Sequence, residues 1–318
     1  MPAGPRRRLP RCERARVAAE VAREHDGIAH RADLRRAGVT RADVRTEIAA
    51  GRWQGVGTHT VVIGTGPMSE RARRWQAVWE SGPGAVLDGV SALHAAGLTG
   101  FTQRRIDVTV PRCSRSRPVA GVRVRRRREV GPTAGAGIPR ARPEMATVRA
   151  AEWAATDRAA ALIVCLVVQQ RLVSPLRLLA AWRRVRSSRR RVFLDAVFAD
   201  VCDGAHSLGE LDFARLCRTV GLPAPSRQRV RTEPGGRLYL DVAWEDIGLV
   251  VEVDGGHHAL ALNPIDDALR QNEVTLDERM VLRIPVLGLR LAPDAFLAQV
   301  ARAHAALTGS AAGTRGVR

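Results

Sequence analysis

Apolar and polar residues alternate most regularly between Leu238 and Asp254. Within Leu249 to Asp254, positions 249, 251 and 253 fall on one face and Val250, Glu252 and Asp254 on the other, the period of a strand. Leu238 to Ala243 alternates in the same way, and Glu245 to Gly248 joins the two runs as a four-residue hairpin loop. That loop length sets Asp241 opposite Glu252 with Asp254 two residues on, so three carboxylates share one face.

A second pattern occupies the N-terminal region. Helical periodicity over 14–25 is followed by a short extended piece at Gly27-Ile28 and by a helix over Arg31–Ala37, closed by Gly38. Thr40 caps a third helix, with Asp43 in capping-box register, which ends at Ala50 before Gly51. Strands over Trp53–Val56 and Thr60–Ile63 then flank a glycine tip at Gly57. Three helices and a small hairpin predict a winged helix-turn-helix, in which the third helix enters the major groove. Thr40, Arg41 and Arg45 then reach bases or phosphates, and Arg52 and His59 sit on the wing. An oligomerisation or interdomain module is the competing reading.

Between these patterns the sequence predicts helices at Glu70–Glu80 and Ser91–Ala96, strands at Ile106–Val110 and Val122–Val130, and helices across 152–201. The second strand carries Arg125, Arg126, Arg127 and Arg128, which suit either phosphate contact or the protection of a solvated edge. A helix from Ser207, the hairpin, a helix over Asp266–Arg279, a strand over Met280–Pro285 and a helix over Pro293–Ala306 complete an αββαβα order. The expected fold is therefore α+β and multidomain. A basic disordered arm (1–13) precedes the winged helix (14–66) and a basic α/β and helical middle region (67–204). A small mixed sheet flanked by helices (205–306) and a disordered tail (307–318) follow.

Charge sharpens this division. The chain carries a net charge of +19, and all 51 basic residues are arginine. Residues 205–318 hold 13 Arg against 14 acids, which leaves 38 Arg against 18 acids in 1–204. A basic excess of that size points to a polyanion, and DNA is the expected partner, although high-GC coding also inflates arginine. The five scattered cysteines form no zinc-like pair, the N-terminus shows no signal-peptide pattern, and the apolar run Ala159–Val168 is too short for a bilayer. A cytoplasmic protein without membrane contact is expected.

Facing carboxylates repel and call for a compensating cation. Hard oxygen ligands suit Mg²⁺ or Mn²⁺, with Asp241 and Glu252 as ligands, and such an ion activates water for attack on a phosphate. A merely acidic outer face is the plainer reading. Asp241, then Glu252-Val253-Asp254-Gly255-Gly256-His257-His258, then Asp267, Arg270 and Val281-Leu282-Arg283 resemble a nuclease-like domain of unknown function. That domain is related to very-short-patch repair endonucleases, within the PD-(D/E)XK superfamily. The resemblance implies a restriction-endonuclease-like fold, with Asp241, Glu252, Asp254 and His258 as catalytic residues. The superfamily lysine is replaced by Asp254, and in this branch a histidine is expected to assist instead. Superfamily members also bring an acid from the first helix, here Glu210, although Ser207 and Glu210 equally form a capping box.

Residues 14–65 resemble the N-terminal winged helix of the abortive-infection type IV antitoxin family, and the stretch GAVLDGVSALHAAGL is similar to the region that follows it there. The wing ends in HTVVIG where GVY is expected, and Thr147-Val148-Arg149-Ala150 lacks the acid of a T-x-x-D motif. The two resemblances imply a metal-dependent DNA endonuclease targeted by its own winged helix, in phage defence or DNA repair. The alternative is an antitoxin-type transcriptional regulator with an inert nuclease-like domain. A toxin partner and a homodimer both stay open.

Overall fold

The computed structural model describes residues 9–202, 213–232, 238–254, 265, 268–269, 271–272 and 281–314. Glu210, the segment from Gly255 to His258, Asp267 and Arg270 lie outside the described residues. Among the described residues the chain is a mixed α+β structure with twelve helices and three small sheets. It gathers into two compact units, one of residues 1–97 and 102–146, the other of 98–101 and 147–318. The middle region read from the sequence is thus divided between them.

Unit 1 begins with α1 (Arg11–Arg23), β1 (Ile28–His30), α2 (Arg31–Arg36), α3 (Arg41–Ala49), β2 (Gln54–Gly55) and β3 (Thr60–Val62). The strands form an antiparallel sheet in the order β1-β3-β2, with Val62 opposite both Ile28 and Gln54. Ala18, Ala22, Leu34, Val39, Val44, Trp53 and Val61 build the core, and Leu9 packs against it. This corrects the expected arm: Leu9 has an apolar surface to bury, and the helix starts directly after Pro10. Gly38 (φ +91°) and Gly51 (φ +66°) follow α2 and α3 in the left-handed region, where a side chain would be strained.

The helices are locked by charge inside this core. Arg14 of α1, 7% exposed, donates to Oδ1 of Asp43 at 2.8 Å and to Oε1 of Glu47 at 2.6 Å, both on α3. Asp43 is also the third residue of the α3 capping box, accepting from the Thr40 backbone N–H at 3.0 Å and from its hydroxyl at 2.7 Å. One carboxylate therefore closes the helix start and anchors α1.

The rest of unit 1 comprises α4 (Glu70–Ser81), β4 (Val86–Leu87), α5 (Gly89–Ala95), β5 (Ile106–Pro111) and β6 (Val122–Arg127). β4 runs antiparallel to β5, and β5 runs parallel to β6. Helix α4 touches β1 and β3 of the first sheet and β4 and β5 of the second, so the two sheets share one helix as a wall.

Helix α6 (Pro143–Trp153) spans the point where unit 2 begins. Unit 2 continues with α7 (Asp157–Gln169), α8 (Pro175–Arg183), α9 (Arg191–Cys202), α10 (Phe213–Thr219), β7 (Arg227–Thr232), β8 (Leu238–Trp244), β9 (Leu249–Asp254), β10 (Val281–Pro285), α11 (Val286–Leu291) and α12 (Pro293–Thr314). Helix α9 packs on α7 and α8, with the Trp182 and Phe198 rings stacked at 4.8 Å. The sheet order is β10-β9-β8-β7, with β10 parallel to β9 and the other pairs antiparallel. Leu249, Val251 and Val253 are buried on one face of β9, where α12 packs with Phe296 and Val300 in the core.

Two expectations change here. β7 adds a strand that its Arg-rich alternation, with few apolar residues, did not announce. Helix α12 continues to Thr314, so most of the expected disordered tail is helix, despite Gly309 and Gly313. All five cysteines are free; burial raises the Cys217 thiol to about 11, and raises that of Cys165 further, so neither is a reactive thiolate near neutral pH. No helix among the described residues is long and apolar enough to cross a membrane.

Candidate functional site

Strands β8 and β9 hold the carboxylate face. Asp241 pairs with Glu252 in the antiparallel register, and Tyr239 pairs with Asp254 one row along. The parallel neighbour β10 puts Arg283 beside Glu252, and β7 puts Arg229 beside Asp241. One row across the sheet therefore reads Arg229, Asp241, Glu252, Arg283. The Arg283 Nε donates to Oε2 of Glu252 at 3.2 Å, with the Glu252 side chain 20% exposed.

Arg283 is in turn held from behind. Its backbone N–H donates to Oδ1 of the buried Asn272 at 3.0 Å, and its carbonyl accepts from Nδ2 of the same amide at 3.0 Å. The Asn272 amide also donates to Oε1 of Gln299 on α12 at 3.1 Å.

This row changes the electrostatic case for a metal. Repulsion between Asp241 and Glu252 is offset in part by the flanking guanidinium of Arg283, which weakens the argument for a cation from repulsion alone. The donor chemistry still fits one: Mg²⁺ is commonly held by one or two carboxylates, with waters and substrate phosphate completing its shell. Among the described residues no group of three or more His, Cys, Asp or Glu is arranged to hold a metal. Asp254 therefore does not join the other two in a three-ligand cluster.

In unit 1 the expected nucleic-acid residues separate into two groups. Arg41 and Arg45 lie one helical turn apart on α3, and Arg31 and Arg35, which were not among the expected residues, lie likewise on α2. Together with His30 and His59 these arginines line a groove of about 590 Å³. Arg35, Arg41 and Arg45 are exposed. Arg31 reaches the carbonyls of Thr60 and Gly57, both at 3.4 Å, and so ties α2 to the loop between β2 and β3.

Other candidates are committed to structure. The Thr40 hydroxyl closes the α3 capping box, and the Arg52 Nε lies 2.5 Å from Oε2 of Glu47, which raises the Arg52 pKa and lowers that of Glu47. The run Arg125–Arg128 is not one patch, because strand alternation splits it between two faces. Arg126 donates to the Ser114 carbonyl and the Ser116 hydroxyl, each at 2.7 Å. Arg125 shares a face with Arg127 and with Arg123, which forks onto Asp107 at 2.6 and 3.1 Å. Burial, then the charge of Arg123, lowers the Arg125 pKa. Only Arg128 lies beyond β6, exposed.

A residue that sequence reasoning missed is Glu80 of α4. Its carboxylate accepts from the backbone N–H of Thr58 at 3.1 Å and of His59 at 2.7 Å, and from the Thr60 hydroxyl at 2.6 Å. A Cβ at Gly57 would meet the same carboxylate, so a side chain there would have to push Glu80 away from the tip. No local pattern announces a contact some twenty residues away; an acid on an otherwise packed helix face was the available hint.

His30 accepts from the Ala32 N–H through Nδ1 at 3.1 Å and so caps α2. Burial lowers its pKa below the ordinary 6.5, with His59 and Arg35 adding to the effect and Asp33 and Glu80 opposing it. Between the lowered native value and 6.5 the unfolded chain binds more protons, so stability rises with pH across that window and is lost as pH falls below 6.5. Asparagine keeps a cap without the titration. The melting temperature of His30→Asn is therefore expected to gain on the parent as pH drops from about 7.5 to about 5.5. Parallel curves would contradict the assignment.

No family model matches the chain, and no curated protein matches it. Among solved structures, the RV2827C protein from Mycobacterium tuberculosis is similar at 18% identity and a TM-score of 0.41, over 65% of this chain and 83% of that one. The chemistry of the site accordingly rests on the residues of this chain.

Proposed function

We propose that the protein is a metal-dependent DNA endonuclease. In this reading residues 14–66 are a winged helix-turn-helix that holds DNA, and the β8–β9 carboxylates serve phosphodiester hydrolysis. The observation that carries it is the register setting Asp241 against Glu252 on a half-exposed face, with Asp254 on the same face. Asp241 and Glu252 would hold Mg²⁺ or Mn²⁺, which when bound supplies an activated water and neutralises charge on the phosphate. Arg283, in the same row, would turn from Glu252 to a phosphate oxygen once the metal is bound. His258, which lies outside the described residues, has the general-base role that the sequence resemblance implies.

DNA retention falls to the groove of Arg31, Arg35, Arg41 and Arg45. If these four arginines each meet one phosphate, log affinity should fall against log salt with a slope of about −3.6. That is roughly a hundredfold loss between about 50 and 200 mM salt. A slope near zero would remove the groove from the interface.

The Arg283–Glu252 ion pair favours a second reading, an antitoxin-type DNA-binding regulator whose sheet is inert because a guanidinium already occupies the carboxylate. Supercoiled plasmid incubated with the intact protein decides between them. Nicking with Mg²⁺ or Mn²⁺ that EDTA abolishes is the expected result, and salt-sensitive binding without cleavage under any divalent ion selects the regulator.

A further inference from the structure

The arginine groove adjoins a second cavity, of about 560 Å³, and the two share His30 and His59 as a wall. The second cavity is lined chiefly by apolar groups, among them Val78, Trp79, Pro83, Val86 and Pro139. The shared wall is aromatic. The His30 and His59 rings stack nearly parallel, 5° between planes and 5.8 Å between centroids, and Trp79 meets His30 edge-on at 5.7 Å. Phosphate contact uses the arginine side only, which leaves the apolar side without a role.

We propose that the two cavities form one site for a free nucleoside monophosphate. Its phosphate lies among Arg35, Arg41 and Arg45, and its base lies in the apolar cavity beside Trp79. The proposal rests on the groove being a phosphate site. Guanidinium groups bind phosphate through paired donors, and the open part of an aromatic ring stacks a base whatever its sequence; Trp79 is half-buried, with His25 and Trp75 against it. Each cavity falls within the size of small-ligand sites. An anionic head and a flat body joined by a short spacer span the imidazole wall, whereas phosphate or nucleoside alone fills one half.

Because Arg41, Arg45 and His59 belong to both uses, the nucleotide excludes DNA from the groove. The Glu80 carboxylate holds the His59 backbone, so a ligand against His59 also bears on the loop that Arg31 ties to α2.

Isothermal titration of the intact protein with AMP, adenosine and inorganic phosphate tests this. Stacking one base contributes roughly 1–3 kcal/mol, so AMP should bind at least about fivefold tighter than phosphate. Adenosine should also bind more weakly than AMP. Two variants address the apolar half: Trp79→Leu on a half-buried position, and Thr133→Trp, which fills the cavity from an exposed loop residue. Both should bring AMP down to the affinity of phosphate without changing phosphate binding, and AMP should displace a duplex oligonucleotide from the parent protein. Equal affinities for AMP and phosphate in the parent, or an AMP preference that survives both variants, overturns the proposal. DNA binding is measured in the same samples: AMP preference without DNA binding sinks the winged-helix reading alone, and DNA binding without AMP preference sinks this inference alone.

Discussion

Replacing Arg14 with leucine is expected to destabilise unit 1 by about 3–5 kcal/mol, the range for removing one partner of a buried ion pair. Arg14 is 7% exposed, Asp43 0% and Glu47 4%, so the carboxylates left behind cannot turn to water. Asp43 keeps its bonds from Thr40, and Glu47 keeps Arg52 at 2.5 Å, which holds the cost within that range. Denaturant unfolding of Arg14→Leu reads the loss. Adding Asp43→Asn and Glu47→Gln should recover part of it, because the uncompensated charge dominates the cost. A loss below about 1 kcal/mol would place the cluster among solvent-screened pairs instead. Glu47 is also held below its ordinary pKa, chiefly by the Arg52 hydrogen bond, so its contribution is present above pH 4.5 and declines as pH falls through the lowered native value.

Glu252→Gln is expected to reduce metal-dependent cleavage at least about a hundredfold, on the scale of losing a principal catalytic group. Glutamine keeps the size and the strand position but cannot offer a charged oxygen to a divalent ion. DNA affinity should hardly move, since 38 of the 51 arginines lie in residues 1–204. Asp241→Asn should behave alike, because the two residues face each other directly. His258→Ala is expected to lose a comparable factor with binding intact. Parental cleavage rates in all three variants would place the activity elsewhere in the chain, or in a contaminant.

The hairpin carrying these residues was legible because its information is local. Alternation fixes the faces, and the loop length fixes the register that sets Asp241 against Glu252. The α3 start was legible for the same reason, Thr40 and Asp43 being three residues apart. What escaped depends on partners distant in sequence. Arg283 reaches Glu252 through a parallel pairing across 31 residues, and Glu80 reaches the Thr58–Thr60 tip from α4. The Arg125–Arg128 run misled differently, since a dense cluster in sequence becomes two faces once it is a strand. Arg14 could have been found: it shares its stripe with Ala18 and Ala22, and a charge on such a stripe needs acids, which α3 supplies at Asp43 and Glu47.

The amide of Asn272 also bears on assembly. Among the described residues β10 is the outer strand of its sheet, and an outer strand offers backbone groups to any extended peptide, including another copy of the same chain. At Arg283 that offer is withdrawn, because one buried side chain fills both the donor and the acceptor position that an added strand would use. Among the described residues the opposite border of the sheet is β7, where Arg227 and Arg229 would bring like charges together. Two self-associating copies would meet mutual repulsion there, whereas an acidic extended peptide would not.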